Sequence, residues 1–245
     1  MQASAPLKTR AGVLAHLTPL VRVFAMLPQV ARWVCALAGS LWSLRLGLGV
    51  YAFHVTNQLE RPGYTVVRQL SGGVELRAYP EYVVAEAAYR KPPSFKAATT
   101  SGFRACASFI FGGNRGARAR KMAMTAPVRV EMRGDVSEPR DVRVSFVMAS
   151  NETLRSLPIP NNAAVKLLRV PAHVAAFTRF AGAPPSEARV MRRRARVLGA
   201  LAREGVRPLS ESETLVYGYH DPFITPRLLR RNEVGVRVAP STLTT

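Results

Sequence analysis

The sequence is poor in the residues from which metal sites, disulfide frameworks and catalytic dyads are built. It has two cysteines, Cys35 and Cys106, and four histidines in 245 residues. Two distant cysteines in apolar stretches form neither a disulfide framework nor a zinc-binding spacing, so we expect both to be buried apolar side chains. No nucleophile is paired with a histidine, and Glu131 and Asp135 fall at a strand end and in a loop. The sequence is therefore not expected to encode an enzyme.

Acidic residues are also scarce. Asp and Glu number 15 against 35 Lys and Arg, which gives a formal net charge of +20. An excess of this size favours anionic partners, such as nucleic acid, an acidic membrane surface or small anions. A genome or compartment that favours arginine would produce the same balance, since arginine far outnumbers lysine. Charge alone leaves these alternatives open, because it bears on association and not on fold.

Residues 1–59 contain no acidic residue, and residues 33–53 carry a single charge, at Arg45. A helix needs about 20 apolar residues to cross a bilayer, and a charge at its centre costs several kcal/mol. Three interpretations stand: a marginal or interfacial membrane helix, an arginine-bearing targeting peptide, and an amphipathic helix packed on the domain. In the first, the aromatic side chains near the headgroups would be Trp33, Trp42 and Tyr51.

We expect residues 20–55 to contact a membrane surface, with a cytoplasmic or an organelle-targeted protein as the alternatives. The run Glu60-Arg61-Pro62-Gly63 breaks any helix and marks a boundary. The chain is therefore divided into an apolar, basic segment at 1–59, a folded domain at 60–240 and a short tail at 241–245.

Within the domain, one order of elements occurs twice: two strands, an amphipathic helix and two further strands. One helix is predicted between the N-cap Ser94 and Gly112-Gly113, and the other from Ser186 to about Glu204. Residues 121–128 are predicted as a short strand, and residues 165–170 and 174–180 as a strand pair. Two such halves should combine their strands into one sheet or open barrel with the helices outside, an α+β fold.

Several motifs in a fixed order resemble the SOUL haem-binding family. The most specific are Lys121-Met122-Ala123-Met124-Thr125-Ala126-Pro127-Val128 and, far downstream, Arg230-Arg231-Asn232-Glu233-Val234. Others are Val74-Glu75-Leu76-Arg77-Ala78-Tyr79, Phe109-Ile110-Phe111-Gly112-Gly113-Asn114 and Leu157-Pro158-Ile159-Pro160-Asn161. The resemblance covers roughly residues 60–238 and is strongest to bacterial members, which often carry an apolar N-terminal segment.

The resemblance implies a distorted antiparallel β-barrel with two flanking helices in a pseudo-twofold arrangement, here preceded by an apolar helical segment. It also implies reversible, non-covalent binding of haem or another tetrapyrrole, for buffering or transfer. Some animal members place a candidate haem-ligating histidine directly after the Glu-x-Arg of the second strand. That position is Ala78 here, so the ligand does not carry over. Other members use an apolar cleft flanked by basic residues, whose wall would be the helix from Phe95 to Phe111.

Tetrapyrrole binding requires an apolar surface, cations for two propionates and, for tight haem binding, an axial donor. The candidates for the apolar surface are Phe103, Phe109, Ile110, Met122 and Met124, with plain core packing as the alternative. The candidates for the propionates are Arg104, Arg120 and Lys121, with a solvated loop as the alternative. His220 is the candidate axial ligand, ahead of His54 and His173, although a lone histidine is more often structural.

The competing hypothesis is a scaffold or interaction domain of the same fold with a non-haem ligand. Such a domain would contact an anionic partner, a membrane or nucleic acid, through the helix at 186–204. One side of this helix carries several arginines: Arg189, Arg192, Arg193, Arg196 and Arg203. No helix-turn-helix accompanies them, so nucleic acid is not expected as a partner, and the protein is expected to be a monomer. In the closing motif, we expect Glu233 to pair with an arginine and Asn232 to bond the backbone of a neighbouring turn.

Overall fold

The computed structural model describes residues 28–135, 138–221 and 223–239. The predicted tail at 241–245 and residues 20–27 of the predicted membrane segment lie outside the described residues. By its internal contacts, the chain divides into one unit that ends at Leu48 and another that begins at Gly49. The boundary predicted from the sequence, between residues 59 and 60, stands further along the chain.

The first helix, α1, spans Gln29–Asn57, so its last turns belong to the second unit. By length and composition it could cross a membrane, with a mean hydropathy of 1.4 over its most apolar window. Large apolar side chains such as Trp33 and Trp42 are exposed along it. Cys35 is exposed on this helix, so the expectation that it is buried is wrong, whereas Cys106 is buried as expected.

The second unit is built on a curled antiparallel sheet of nine strands, with a separate two-stranded ribbon of β4 and β7. The strands are β1 Thr65–Leu70, β2 Val74–Tyr79, β3 Tyr82–Arg90, β4 Asn114–Arg115, β5 Val128–Gly134, β6 Pro139–Val147, β7 Ile159–Pro160, β8 Val165–Val170, β9 His173–Ala181, β10 Glu213–Gly218 and β11 Arg231–Arg237. Tyr82 and His173 lie on strands far apart in the sheet, yet their ring centroids are 6.0 Å apart. Strong curling of the sheet brings them together.

The strand order is β1-β2-β9-β11-β10-β5-β6-β3-β8. Exchanging β2, β3, β5 and β6 of the first half for β8, β9, β10 and β11 of the second reverses this order apart from β1. A pseudo-twofold axis therefore passes between β5 and β10, which confirms the predicted arrangement. Residues 165–170 and 174–180 are not a pair, however, because β8 pairs with β3 and β9 pairs with β2 and β11.

Each half contributes one helix to the same face of the sheet. Helix α2 spans Phe95–Ile110 and begins at Ser94, whose Oγ accepts a hydrogen bond from the Ala97 N–H at 3.1 Å. It lies close to β6 at Gly102, where an added Cβ would stand 2.5 Å from Cγ2 of Val144. Helix α3 spans Glu187–Arg203 and buries Val190, Val197 and Leu201 against the other half of the sheet.

The segment at 121–127 is not a strand, contrary to the sequence prediction. Its backbone bonds instead to separate elements: the Met122 N–H donates to Ile110 O at 2.8 Å, and the Ala126 N–H donates to Glu60 O at 2.9 Å. Thr125 forms an isolated bridge with Glu60, and strand β5 begins only at Val128. The motif therefore ties the end of α2 to the residues that follow α1.

The face of the sheet opposite α2 and α3 carries buried, paired charges. Glu233 is fully buried and accepts hydrogen bonds from Arg77, from Arg231 and from the Tyr219 hydroxyl. A second group on the same face joins Arg237 to the carboxylates of Glu213 and Glu131. Asn232 donates to Gly182 O at 3.1 Å. Both expectations for the closing motif, an arginine partner for Glu233 and a backbone bond for Asn232, are confirmed.

Candidate functional site

The predicted apolar residues of the site gather around α2, but at different depths. Phe109 and Ile110 are each 1% exposed and form a core cluster with Cys106 and residues of β3, β6 and β8. Met122 and Met124 are half-buried and pack against the same cluster. Phe109 and Ile110 therefore lie beneath the surface. A ligand on the outside of α2 would contact Met122 and Met124 and not these two core residues.

The outer side of α2 carries an apolar stripe of Phe103, Ala107 and Phe111. These residues are spaced four apart, so they lie above one another on one helical face. Phe103 is 41% exposed and Phe111 57% exposed, and the Phe103 ring meets the Phe146 ring edge-on at 5.3 Å. Phe111 was not among the predicted site residues, although its spacing from Phe103 was visible in the sequence.

The loop that follows α2 is held in place by Asn114. Its Nδ2 donates to Phe109 O at 2.8 Å and to Arg120 O at 2.7 Å, while its Oδ1 accepts from the Arg120 N–H at 2.9 Å. Gly113 comes so close to Ser108 that an added Cβ would stand 2.5 Å from the Ser108 Oγ. These contacts fix the chain that presents Lys121 and Met122 beside the end of α2.

The three predicted propionate partners differ in what they already bind. Arg104 and Lys121 are exposed, and neither forms an ion pair with any of the described residues. Arg120 donates to Glu152 Oε1 at 2.6 Å and to Ser156 O at 3.2 Å. Of the three, Arg104 and Lys121 are therefore the cations open to a new carboxylate, whereas Arg120 would first have to leave Glu152.

His220 stands apart from this surface. It follows β10, which β5 and β6 separate from β3, and its ring stacks on Phe53 at 5.2 Å. Burial, together with the nearby charges of Arg61 and Arg231, lowers the pKa of His220 to about 4, so its imidazole is neutral at neutral pH. The structure therefore does not bring the candidate axial ligand to the α2 surface.

The other candidate histidines have structural partners. His54 Nε2 lies 3.0 Å from Gln58 Nε2, and His173 Nδ1 lies 2.9 Å from Pro171 O. At the α2 surface the soft donors among the described residues are the thioethers of Met122 and Met124, which can serve as haem ligands. The residues present fit the apolar and anionic parts of a tetrapyrrole, and they offer sulfur and not imidazole to an iron.

A cavity of about 320 Å³ lies elsewhere in the second unit. It is lined by the chain after α1, the turn between β2 and β3, and the loop after β6, with Arg61, Tyr82, Met148 and Arg169 in its wall. It shares no lining residue with the predicted site. Its walls come from stretches that are far apart along the chain, so no local pattern in the sequence predicts it.

Among solved structures, the chain is similar to a hydrolase from Listeria innocua, at 12% identity and a TM-score of 0.48, over 68% of this chain and 91% of that one. It is similar to the C-terminal domain of EcmrR, at 14% identity and a TM-score of 0.49, over 72% and 98%. It is also similar to SAV2435 bound to tetraphenylphosphonium, at 9% identity and a TM-score of 0.43, over 69% and 94%. Similarity at this level implies nothing about the activity of this chain.

No curated protein matches the sequence. The sequence profile described as SOUL heme-binding protein matches residues 59–237, well over half of the 245 residues. This range includes every strand of the curled sheet, both helices that pack on it, and the α2 surface. The chain therefore belongs to the SOUL heme-binding protein family.

Proposed function

We propose that the domain binds haem or a related tetrapyrrole non-covalently on the outer surface of α2, for buffering or transfer and without catalysis. Membership of a haem-binding family supports the ligand class. The single observation that supports the place is the exposed apolar stripe of Phe103, Ala107 and Phe111 beside two cations. Aromatic side chains this exposed on a folded domain are candidates for a ligand surface.

In this arrangement, the flat macrocycle lies along the stripe and contacts Met122 and Met124 at its edge. The propionates meet Arg104 and Lys121. Lys121 lies against the C-terminal end of α2, 3.7 Å from the Cβ position of Gly112, and Arg104 lies two turns earlier. Eight helical residues span about 12 Å, so the two cations flank the stripe along its length.

Haemin titration tests this proposal. The unmodified protein should shift the Soret band at micromolar haemin, and the double variant Phe103→Ser/Phe111→Ser should weaken binding at least tenfold, because it removes the exposed aromatic surface. The matched control is Leu209→Ser, since Leu209 is also about half exposed, at 54%. A missing Soret shift in the unmodified protein would overturn the proposal, as would equal affinities of the double variant and the control.

The second candidate is a domain of the same fold that binds a smaller, non-haem anion. The cavity of about 320 Å³ favours it, because this volume is at the lower end of small-molecule pockets and Arg61 and Arg169 lie in its wall. Arg169 is also engaged by Glu81 at 3.0 Å. Failure of haemin binding together with a thermal shift by small carboxylates, lost in Arg61→Ala, would favour this candidate. An anionic contact through the arginine side of α3 belongs to the same alternative.

We further propose that α1 attaches the protein to a membrane surface. Its length, its apolar exposed side chains and the acid-free sequence of residues 1–59 support this. Flotation of the full chain with vesicles is the test, and a protein that remains in the unbound fraction overturns the attachment. Removal of residues 1–48 is the matched control, because truncation as far as Tyr64 would also delete Phe53, which stacks on His220, and Leu59, which packs in the domain.

A further inference from the structure

The loop between β10 and β11 presents large apolar side chains to solvent. Phe223 is 77% exposed and Leu228 is 87% exposed, and Ile224 and Leu229 between and beside them are 52% and 39% exposed. Single exposed apolar residues are common, but four within seven positions form a patch that marks an interaction surface. Neither the α2 surface nor the cavity includes any of them.

This loop is built to hold its shape. Asp221 Oδ1 accepts hydrogen bonds from the Phe223 N–H at 2.7 Å and from the Ile224 N–H at 2.8 Å. The Arg230 Nε donates to Thr225 O at 2.7 Å, and residues Arg227–Leu229 form a short 3-10 helix. These backbone groups of the loop therefore have partners inside it, while the side chains of Phe223, Ile224 and Leu228 are more than half exposed.

The loop is attached to the last turns of α1. At Gly49 an added Cβ would stand 2.8 Å from Cδ of Pro226 and 2.9 Å from Ile224 O, so a larger residue would push the loop away. The ring stack between Phe53 and His220 fixes the start of the loop in the same way. The apolar patch and the C-terminal end of the apolar helix are thus parts of one packed unit.

The charges around the patch suit a lipid surface. Arg227 is exposed within the patch, and Arg179 is exposed near His220, where the loop starts. Arg230 is buried and Arg231 is bound to Glu233, and Asp221 is the acidic residue beside the patch. Apolar side chains flanked by arginine match the boundary of a bilayer, where acyl chains lie beside phosphate groups.

We propose that Phe223 and Leu228 insert into the interface of an anionic bilayer, so that the loop forms a second membrane contact beside α1. This inference rests on the proposed membrane attachment and is independent of tetrapyrrole binding. The contact would fix the orientation of the domain on the membrane, which a single helix leaves free to rotate.

The test uses the full chain with a polarity-sensitive fluorophore on a cysteine at position 228. Cys35, the exposed native cysteine, is replaced by serine, while Cys106 can stay because it is buried and burial raises the pKa of its thiol to about 12. The matched control carries the label at position 211, an exposed glutamate that precedes β10 and so lies at the opposite end of that strand from the loop. Vesicles contain equal amounts of phosphatidylcholine and phosphatidylglycerol, with or without brominated acyl chains.

On vesicles, the label in Leu228→Cys should shift to the blue and be quenched by brominated lipid several-fold more than the label in Glu211→Cys. Adding Phe223→Asp should reduce this quenching, whereas Leu209→Asp should not. A chain that floats with vesicles while its label at position 228 stays in water overturns the loop contact and leaves the attachment by α1 standing. A chain that does not float overturns both. A blue shift that appears without lipid and grows with protein concentration overturns the inference in favour of a second copy.

Discussion

The Arg77 guanidinium donates two hydrogen bonds, of 2.8 and 3.0 Å, to the Glu233 carboxylate, and both side chains are buried. Arg231 donates to the same carboxylate at 2.6 Å and the Tyr219 hydroxyl at 2.7 Å, so both oxygens of Glu233 have partners. Arg77 also forms an ion pair with Glu75, in which its Nη2 lies 2.7 Å from Oε2 of Glu75. The closing motif is therefore a clamp that joins β11 to β2 across the intervening strand β9.

Removal of the carboxylate should be costly. In Glu233→Ala, the buried guanidinium of Arg77 loses its main partner, and the free energy of unfolding should fall by about 2–4 kcal/mol. The control is Glu81→Ala, which breaks the exposed pair with Arg169 and should cost at most about 1 kcal/mol. Urea unfolding of the three proteins measures both changes. Equal losses in the two variants, or a loss below about 0.5 kcal/mol for Glu233→Ala, would refute the clamp.

The repeated strand and helix pattern was sufficient to predict two similar halves that share one sheet, because amphipathic periodicity is a local property of the chain. The pseudo-twofold arrangement was implied by the resemblance to the family. The partner of each strand in the sheet was harder to predict. Strands β8 and β9 are neighbours in the sequence, yet they pair with partners from the other half, and such long-range register has no local signal. The same reason explains why an arginine partner could be predicted for Glu233 but Arg77 could not be named, since 156 residues separate the two.

The arrangement of the candidate site could be predicted from the sequence only in part. The predicted residues Met122 and Met124 do pack beside α2, but hydrophobicity alone does not distinguish Phe109, in the core, from Phe103, at the surface. The position of each residue around the helix does distinguish them, and the spacing of four residues from Phe103 to Ala107 to Phe111 could have identified Phe111. The engagement of Arg120 by Glu152 and the distance of His220 from α2 depend on how loops close in three dimensions.

Two glycines inside helices should respond in opposite ways to the same substitution. Gly102→Ala would drive a methyl group into Val144 and Tyr89, so overpacking should lower stability by about 1–3 kcal/mol. In Gly199→Ala the nearest atom to the new Cβ is Nη1 of Arg203 at 3.6 Å, an ordinary van der Waals contact. There the gain in helix propensity should raise stability by about 0.5–1 kcal/mol. Thermal unfolding of the two variants decides, and a shift of the same sign in both would contradict the close approach of α2 to β6.

Stability should also depend on the protonation of His220. Burial and the surrounding arginines Arg61, Arg231, Arg179 and Arg230 lower its pKa from 6.5 to about 4. A lowered pKa means that the folded state binds the proton less readily than the unfolded state. The stabilisation is present above pH 6.5 and is lost as the pH falls from there towards 4.

His220→Phe keeps a ring against Phe53 and removes this titration. The unmodified protein should lose about 1–2 kcal/mol more than the variant between pH 6.5 and pH 4, once partial solvent exposure is taken into account. Denaturant unfolding at a series of pH values measures the difference, with His54→Phe as the control at an exposed histidine. If the free energy of unfolding of the unmodified protein and of His220→Phe changed in parallel with pH, the pKa of His220 would not be lowered in the folded state. Some pH dependence should persist in the variant, because burial also lowers the pKa of His173.

The last prediction concerns the way the tetrapyrrole is held. With Ala78 in place of a ligating histidine and His220 away from α2, affinity should come from apolar contact with Phe103 and Phe111 and from the pairing of propionates with Arg104 and Lys121. Metal-free protoporphyrin keeps both contributions, so it should bind within about tenfold of haem, a difference of about 1.4 kcal/mol. Fluorescence quenching and Soret titrations give the two affinities.

Salt and substitution separate this mechanism from axial ligation. Binding should weaken as salt is raised, because the cations are exposed and their attraction for propionates is screened. His220→Ala should leave haem affinity nearly unchanged, whereas Arg104→Ala/Lys121→Ala should weaken haem and protoporphyrin by the same factor, since neither cation touches the iron. If haem bound more than about a hundredfold more tightly than protoporphyrin, a difference near 2.7 kcal/mol, and His220→Ala abolished the Soret shift, an axial imidazole would dominate and the α2 surface would not be the site.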